Sequence, residues 1–218
     1  MKPLGKEAGR LQRLIAQGEH QQQDFKYKVD DAPKLARSVS AFANTDGGRL
    51  LIGVRDDGSI HGVRSEEEIF MMHAAAFKFC APAPTISFET LRVPTAPHGG
   101  SIRTVVICTV MPSPFKPVFA QDVAYIRVGD ENIVASPVHL AIWRQEAHLR
   151  GEAYGDSEAE HALLAALNAH PEGLTLNALH KAVPAVARHL FITFLARFIR
   201  FGLASIEHRD QQWFFKPT

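Results

Sequence analysis

Hydrophobic residues repeat with two different periods along this chain, and the order of those periods constrains its fold most. Up to about residue 79, segments with helical spacing alternate with short runs of strand-like alternation. Residues 81–135 are rich in prolines and alternating apolar residues, which predicts several antiparallel strands. From Ser136 onward the spacing is mostly helical again. Because helices and strands occupy separate stretches over much of the chain, we predict an α+β fold.

Local signals divide the first 80 residues into helices and short strands. Leu11 belongs to an amphipathic helix, and Asp30 or Asp31 caps a second one. Ser65 and Glu68 form a capping-box pattern, in which Ser65 satisfies free amides and Glu68 reaches back. We therefore expect helices at residues 5–17, 33–45 and 65–79, and strands at 24–27, 49–54 and 59–63.

The last third of the chain has a pattern of its own. Ser136 followed by Pro137 predicts a helix over residues 138–149, and two glycines mark residues 150–155 as a linker. Beyond the linker we expect helices at 157–169, 175–182 and 184–201, then strands at 203–207 and 212–215. Three helices followed by a β-hairpin is the winged-helix arrangement. We thus predict two domains, residues 1–150 and a small winged-helix domain at 156–218.

Composition limits the kinds of partner this chain can use. It is 46% hydrophobic and 22% charged with a net charge of +1, so any nucleic-acid binding requires a local basic patch. The two cysteines, Cys80 and Cys108, form no metal or disulfide pattern, which is typical of a reducing cytosol. We find no signal peptide or membrane-spanning stretch and expect a cytoplasmic protein without a membrane partner.

Several ordered motifs resemble those of one known family. They are Gly18-Glu19, Asp24-Phe25-Lys26, the segments at 41–48 and 51–58, Gly62, and the later segments at 125–129 and 135–136. Together they resemble the Schlafen AlbA-like DNA-binding domain family over about residues 10–148. The resemblance implies a mixed sheet with packed helices. In the bacterial branch, such domains are commonly assigned to transcriptional regulators and are often followed by winged-helix segments.

The segment from Asn44 to Gly48 closes a helix before a strand. Asn44, Asp46 and the two glycines supply the conformational freedom and the local hydrogen bonds that such a sharp turn requires. A structural role is favoured, although amides freed by a glycine pair can also hold an anion. No Walker A or GxGxxG pattern is present.

In eukaryotic Schlafen relatives, carboxylates matching Glu19, Asp24 and Asp56 form a metal-dependent ribonuclease site, so the resemblance implies a candidate triad for Mg²⁺ or Mn²⁺. Lys26 lies on the same strand face as Asp24 and would steady the attacked phosphate. Glu19 joins Asp24 only if the chain bends between them. The alternative is surface charge, or ion pairs with Lys26, Arg49 or Arg55.

Basic residues near these motifs are the candidate phosphate contacts, interleaved with Phe25 and Tyr27. In the first domain they are Lys26, Lys28, Lys34, Arg37, Arg49, Arg55 and Arg127. In the second domain the candidates are Arg188, Arg197 and Arg209. From residue 183 onward the basic residues outnumber the acidic ones by three, which concentrates positive charge at the third helix and the wing.

The helix predicted at 184–201 carries more apolar residues than one core-facing stripe needs. We expect its second face to pack on the first domain or to form a dimer interface. Because Schlafen cores contain two AlbA-like lobes and this chain has one, the resemblance implies a homodimer.

Three functions remain open from the sequence. The first is a nucleic-acid-binding transcriptional regulator that prefers DNA to RNA. The second is a Mg²⁺- or Mn²⁺-dependent nuclease that uses the carboxylate triad. The third is a protein-interaction module that binds no nucleic acid.

Overall fold

The computed structural model describes residues 4–94, 100–147 and 157–218. The chain divides into two compact units, residues 1–134 and 135–218. Helices and strands are both abundant, and the predicted α+β class is confirmed. Among the described residues, none of the helices has the length and apolar character needed to cross a membrane.

The first unit combines three helices with two four-stranded sheets. The helices are α1 (Leu4–Ile15), α2 (Ala32–Asn44) and α3 (Ser65–Phe77). The strands are β1 (Gln23–Lys26), β2 (Gly48–Ile52), β3 (Cys80–Ala81), β4 (Ile86–Pro94), β5 (Ile102–Val110), β6 (Phe119–Ala120), β7 (Val123–Val128) and β8 (Glu131–Val134). The sheet orders are β1-β2-β5-β4 and β3-β6-β7-β8, and β1 with β2 is the parallel pair.

The first sheet is buried on both faces, and successive residues of β2 point to opposite sides of it. Leu50 and Ile52 join the core that α2 and α3 contribute to, with Phe42 as its largest apolar side chain. Leu51 points the other way and packs with Leu11 of α1. A strand buried on both faces reads as a continuous apolar run, as this one does.

The helix caps agree with the sequence at α2 but not at α3. The Asp31 carboxylate accepts a hydrogen bond from the Lys34 amide at 2.9 Å, so the predicted cap is confirmed. The predicted capping box at Ser65 is wrong, because the N-cap of α3 is Arg64 and no side chain bonds the free amides. Ser65 is the first residue of the helix itself and cannot also serve as its cap.

The second unit contains four helices and a three-stranded antiparallel sheet. The helices are α4 (Pro137–Ala147), α5 (Glu158–Asn168), α6 (Leu176–Ala182) and α7 (Arg188–Arg200). The strands are β9 (Leu174–Thr175), β10 (Ala204–Arg209) and β11 (Gln212–Pro217), in the order β10-β11-β9. Asp210 and Gln211 form the tight turn between β10 and β11, both with positive φ.

Helix α7 begins later than predicted. The sequence indicated a start near Pro184, but residues 183–187 form a turn in which the Val186 amide donates to the Val183 carbonyl. Ser157 and Glu160 form a complete capping box at the start of α5. This pairing fixes the start of α5.

Helix α4 belongs to the second unit rather than to the first, where the sequence placed it. Val138 is fully buried in the same apolar cluster as Leu163 and Phe191. The Gln145 side chain donates to the Thr193 carbonyl of α7 at 2.9 Å. Helix α4 thus covers part of the apolar surface of α7, while Leu190 and, at the end of the helix, Phe201 remain exposed. The predicted linker at 150–155 lies outside the described residues.

Candidate functional site

A tight turn before β1 places two carboxylates side by side. His20 and Gln23 exchange backbone hydrogen bonds of 2.9 and 3.1 Å, which reverses the chain between them. The Glu19 carboxylate then accepts a hydrogen bond from the Phe25 amide at 2.8 Å. This turn supplies the bend that Glu19 needs to approach Asp24.

Asp24 is a buried carboxylate held between two cations. Its side chain lies 2.6 Å from the Lys26 ammonium and 3.7 Å from the Arg127 guanidinium. Lys26 is therefore on the same strand face as Asp24, as the alternation predicted. A buried charge is tolerated in this way only when opposite charges compensate it.

The pKa of Glu19 is raised by its partial burial and by its position beside Asp24. Burial, together with the hydrogen bond to Asp24, raises the pKa of Glu19 from 4.5 to about 7. Two adjacent carboxyl groups resist simultaneous ionisation.

Arg127 lies in the protein interior beside Asp24, and its side chain does not reach solvent. Its side chain is 1% exposed, lies 5.1 Å from the Phe42 ring centre and donates to the Asn132 amide oxygen and the Gln23 carbonyl. A side chain this deeply buried cannot contact a phosphate. The prediction of Arg127 as a nucleic-acid contact is wrong.

The turn that ends α2 has its polar groups engaged within the fold. Asn44 bonds the Val118 amide and carbonyl, at 2.7 and 2.8 Å, and donates to the Tyr125 carbonyl. The Gly47 amide donates to the Phe42 carbonyl, so it is not free for an anion. A Cβ on Gly48 would lie 2.4 Å from the Phe42 ring, which explains glycine there. A structural role therefore explains this turn better than anion binding does.

Asp56 does not join the carboxylate pair. It is exposed in the turn after β2, where neighbouring Asp57 accepts a hydrogen bond from the Ser59 amide. Within residues 4–94, 100–147 and 157–218, no group of three His, Cys, Asp or Glu side chains could hold a metal ion. Asp24 pairs instead with Lys26 and Arg127, and the implied Mg²⁺ or Mn²⁺ triad of Glu19, Asp24 and Asp56 stays a prediction.

Solvent-exposed basic and aromatic side chains lie close together at the end of β1. Tyr27 is 38% exposed, and the Arg55 guanidinium lies 5.0 Å from the centre of its ring. Lys26 and Lys28 flank Tyr27 in the chain, and Lys28 is exposed and paired with Asp30. We call Lys26, Tyr27, Lys28 and Arg55 the β1 patch.

The Schlafen, AlbA_2 family profile matches residues 19–136, which is more than half of the chain. This chain belongs to the Schlafen AlbA_2 family. The matched residues include the carboxylate pair, the β1 patch and the turn at the end of α2.

Other similarities are more distant. The DIP2311 protein from Corynebacterium diphtheriae is 21% identical, with a TM-score of 0.45; the match covers 84% of this chain and 37% of that one. This chain therefore spans little more than a third of that protein. No curated protein matches.

The remaining basic candidates of the AlbA_2 domain lie apart from the β1 patch. Arg49 is half-buried and donates to the Gln23 and Gln17 side chains at 2.7 and 2.6 Å. Arg37 and Lys34 are exposed on α2. Among the described residues, Arg37 makes no hydrogen bond or ion pair with the β1 patch, so it is a separate positive charge.

The three candidates of the second unit differ in accessibility. Arg188 is exposed and bonds the Asn177 side chain at 3.0 Å. Arg209 is half-buried, 4.1 Å from the centre of the Phe214 ring. Arg197 is 16% exposed and paired at 2.9 Å with Glu160, which is 2% exposed, so its predicted role as a nucleic-acid contact is replaced by an internal ion pair.

His61 is a site residue that the sequence interpretation missed. Its ring centre lies 4.3 Å from that of Tyr27. The signal was available in the predicted turn at residues 56–58, because pairing of Val54 with Ile60 returns the chain to the end of β1. Extending that hairpin by one residue places His61 beside the patch.

Proposed function

We propose that this protein is a nucleic-acid-binding transcriptional regulator that prefers DNA to RNA and uses the β1 patch to hold the phosphate backbone. The observation that carries the proposal is the exposed Tyr27 ring with Arg55 over it, between Lys26 and Lys28. With a net charge of only +1, the chain requires such a local concentration of cations.

The chemistry of the patch suits a phosphate backbone. Arg and Lys neutralise phosphates and release condensed counterions, which supplies most of the sequence-independent affinity. Tyrosine hydroxyls also donate to phosphate oxygens and fix the register of the protein on the strand. The family assignment supports a nucleic-acid ligand for this domain.

The second unit supports a further contact as a winged helix. The order of its elements, from α5 through β9, α6 and α7 to the β10–β11 hairpin, supports the proposal that this unit is a winged helix. The exposed N-terminal end of α7 carries Arg188, and the hairpin carries Arg209. In this proposal Arg188 approaches the major groove and Arg209 the adjacent backbone.

A cytoplasmic homodimer is the assembly we propose for this regulator. Two copies would present two β1 patches and two wings to a duplex, and two-fold symmetric operators match such dimers. A hydrolytic function is not proposed, because Asp56 stands apart from Glu19 and Asp24. A purely protein-binding role is the weaker alternative, since α4 covers part of the second face of α7.

Fluorescence anisotropy with labelled duplex DNA, single-stranded DNA and duplex RNA at low salt tests the proposal. We expect the tightest binding to duplex DNA, and at least tenfold weaker binding by the double variant Lys28→Gln, Arg55→Gln. Arg13→Gln, a change of an exposed arginine on α1, is the matched control and should bind as the wild type does. Absence of binding, or equal binding by the double variant, would refute the proposal.

A further inference from the structure

Helix α3 is apolar on two faces, and the first unit buries only one of them. Of the nine residues 69–77, only His73 is polar. Met72 and Ala75 are among the residues that point into the core. A helix that is apolar all round is normally covered on every side. The outer face of α3 therefore needs a cover that the described residues do not supply.

Aromatic side chains form a row on this outer face. Phe70 and Phe77 are 70% and 58% exposed, and the exposed His73 lies between them. The His73 ring centre is 5.4 Å from that of Phe77 and 5.1 Å from that of Phe88 on β4. A contiguous exposed patch of this kind marks an interaction surface. We call Phe70, His73, Phe77 and Phe88 the α3 patch.

The spacing of the row is that of a coiled-coil seam. Residues 70, 73 and 77 follow one another at intervals of three and four, as the a and d positions of a heptad do. Such a seam packs against a second helix of the same spacing, because each side chain inserts between side chains of the facing helix. A second copy of α3 has that spacing. In an antiparallel pair, Phe70 of one copy lies opposite Phe77 of the other.

Charges at the two ends of α3 favour this antiparallel alignment. The first turn is acidic, and its Glu67 is 67% exposed and bonds Arg64 through Oε1 at 3.2 Å. The other end carries Lys78, which is exposed and makes no ion pair among the described residues. With Phe70 opposite Phe77 of the second copy, Glu67 and the second copy's Lys78 are offset by only about 3 Å along the axis. A parallel pair would place acid beside acid.

Helix α7 offers the other exposed apolar residues of a long helix, but its charges oppose self-association. Leu190 and Phe201 are 42% and 48% exposed. The helix begins at Arg188, ends at Arg200 and contains no acidic residue. Two copies of α7 would therefore bring like charges together in either alignment, whereas α3 is self-complementary.

We propose that two copies of this protein associate through the α3 patch, with the two α3 helices antiparallel and Glu67 of each copy beside Lys78 of the other. This inference rests on the proposed function for the existence of a homodimer, and it identifies the surface that forms it. The α3 patch shares no residue with the β1 patch, so association and phosphate binding can be varied separately.

Sedimentation velocity of the full chain over a range of concentrations, without nucleic acid, tests the proposal. We expect the wild type to dimerise, and Phe70→Ser to weaken dimerisation by at least about thirtyfold, because this residue occurs twice in the interface. Phe115→Ser is the matched control, since Phe115 is 74% exposed in the loop between β5 and β6. This control should dimerise as the wild type does.

Charge reversal tests the antiparallel alignment. Glu67→Lys makes both ends of the seam basic and Lys78→Glu makes both acidic, so each should weaken dimerisation about tenfold. The double variant Glu67→Lys, Lys78→Glu brings opposite charges together again. It should therefore return to within about threefold of the wild type.

Circular dichroism spectra establish that each variant is folded. A monomeric wild type, Phe70→Ser that dimerises as Phe115→Ser does, or a double charge variant no stronger than its single variants would overturn the proposal. A dimer that survives Phe70→Ser would refute this surface but leave the homodimer of the proposed function intact. Phosphate binding is measured separately with Lys28→Gln, Arg55→Gln, so its failure would leave the sedimentation result unchanged.

Discussion

Asp24 is the residue on which the organisation of the β1 end depends. Its buried charge is compensated by Arg127 from within the fold and by Lys26 from the surface, where the Lys26 side chain is 33% exposed. Lys26 therefore contacts the buried Asp24 and is also accessible to a phosphate at the surface. Lys28 and Arg55 lie outside this network: Lys28 pairs with Asp30, and the Arg55 guanidinium lies over the ring of Tyr27.

We predict that Arg127→Met destabilises the protein by about 3 kcal/mol or more, because it leaves the buried Asp24 carboxylate with only one cation. Methionine is chosen because it fills a similar volume. Urea denaturation measures the change, and Arg37→Met, on the exposed face of α2, should stay within about 0.5 kcal/mol of the wild type. A loss below about 1 kcal/mol for Arg127→Met would show that Asp24 does not need this partner.

The raised pKa of Glu19 predicts that the free energy of unfolding depends on pH. Its pKa is raised from 4.5 to about 7 in the folded state, so the folded protein binds this proton more tightly than the unfolded chain. The free energy of unfolding contributed by this group is therefore highest below pH 4.5 and falls as pH rises towards about 7. Glu19→Gln, which imitates the protonated acid, should flatten the stability profile over this range. Parallel profiles of wild type and variant would contradict the raised pKa of Glu19, and exposed Glu66→Gln is the control.

At the scale of elements, local signals were sufficient where a strand or helix is defined by its own residues. The alternation in β1, the Asp31 cap and the β10–β11 hairpin are all local, and the structure contains each of them. The start of α7 was placed too early, because apolar residues before Arg188 belong to a turn whose path depends on tertiary packing. Sequence spacing alone does not distinguish such a turn from a helical one.

Helix α4 provides the prediction at this scale. Its position in the second unit means that residues 135–218 should unfold cooperatively as an isolated fragment. A fragment of residues 157–218 should be less stable by about 3 kcal/mol, since buried aliphatic side chains contribute about 1.5–3 kcal/mol each and Val138 is fully buried. Fluorescence of Trp213, present in both fragments, follows their unfolding. If the two fragments were equally stable, helix α4 would not belong to the second unit, and the domain boundary would lie near residue 150.

At the scale of the whole molecule, the sequence predicted the fold class and the grouping of Asp24 with Lys26, but not which charges face solvent. Arg127 occupies a strand position whose neighbours do not reveal that its side chain enters a buried network with Phe42 and Gln23. Contacts of this kind depend on tertiary structure.

The central claim is that the β1 patch holds nucleic-acid phosphates, and the salt dependence of duplex DNA binding tests it most directly. The logarithm of the binding constant should fall linearly with the logarithm of salt concentration, with a slope of about −0.9 for each phosphate neutralised. We predict that Lys28→Gln with Arg55→Gln reduces the magnitude of that slope by about two. A slope that is the same for the wild type and the double variant would contradict the account.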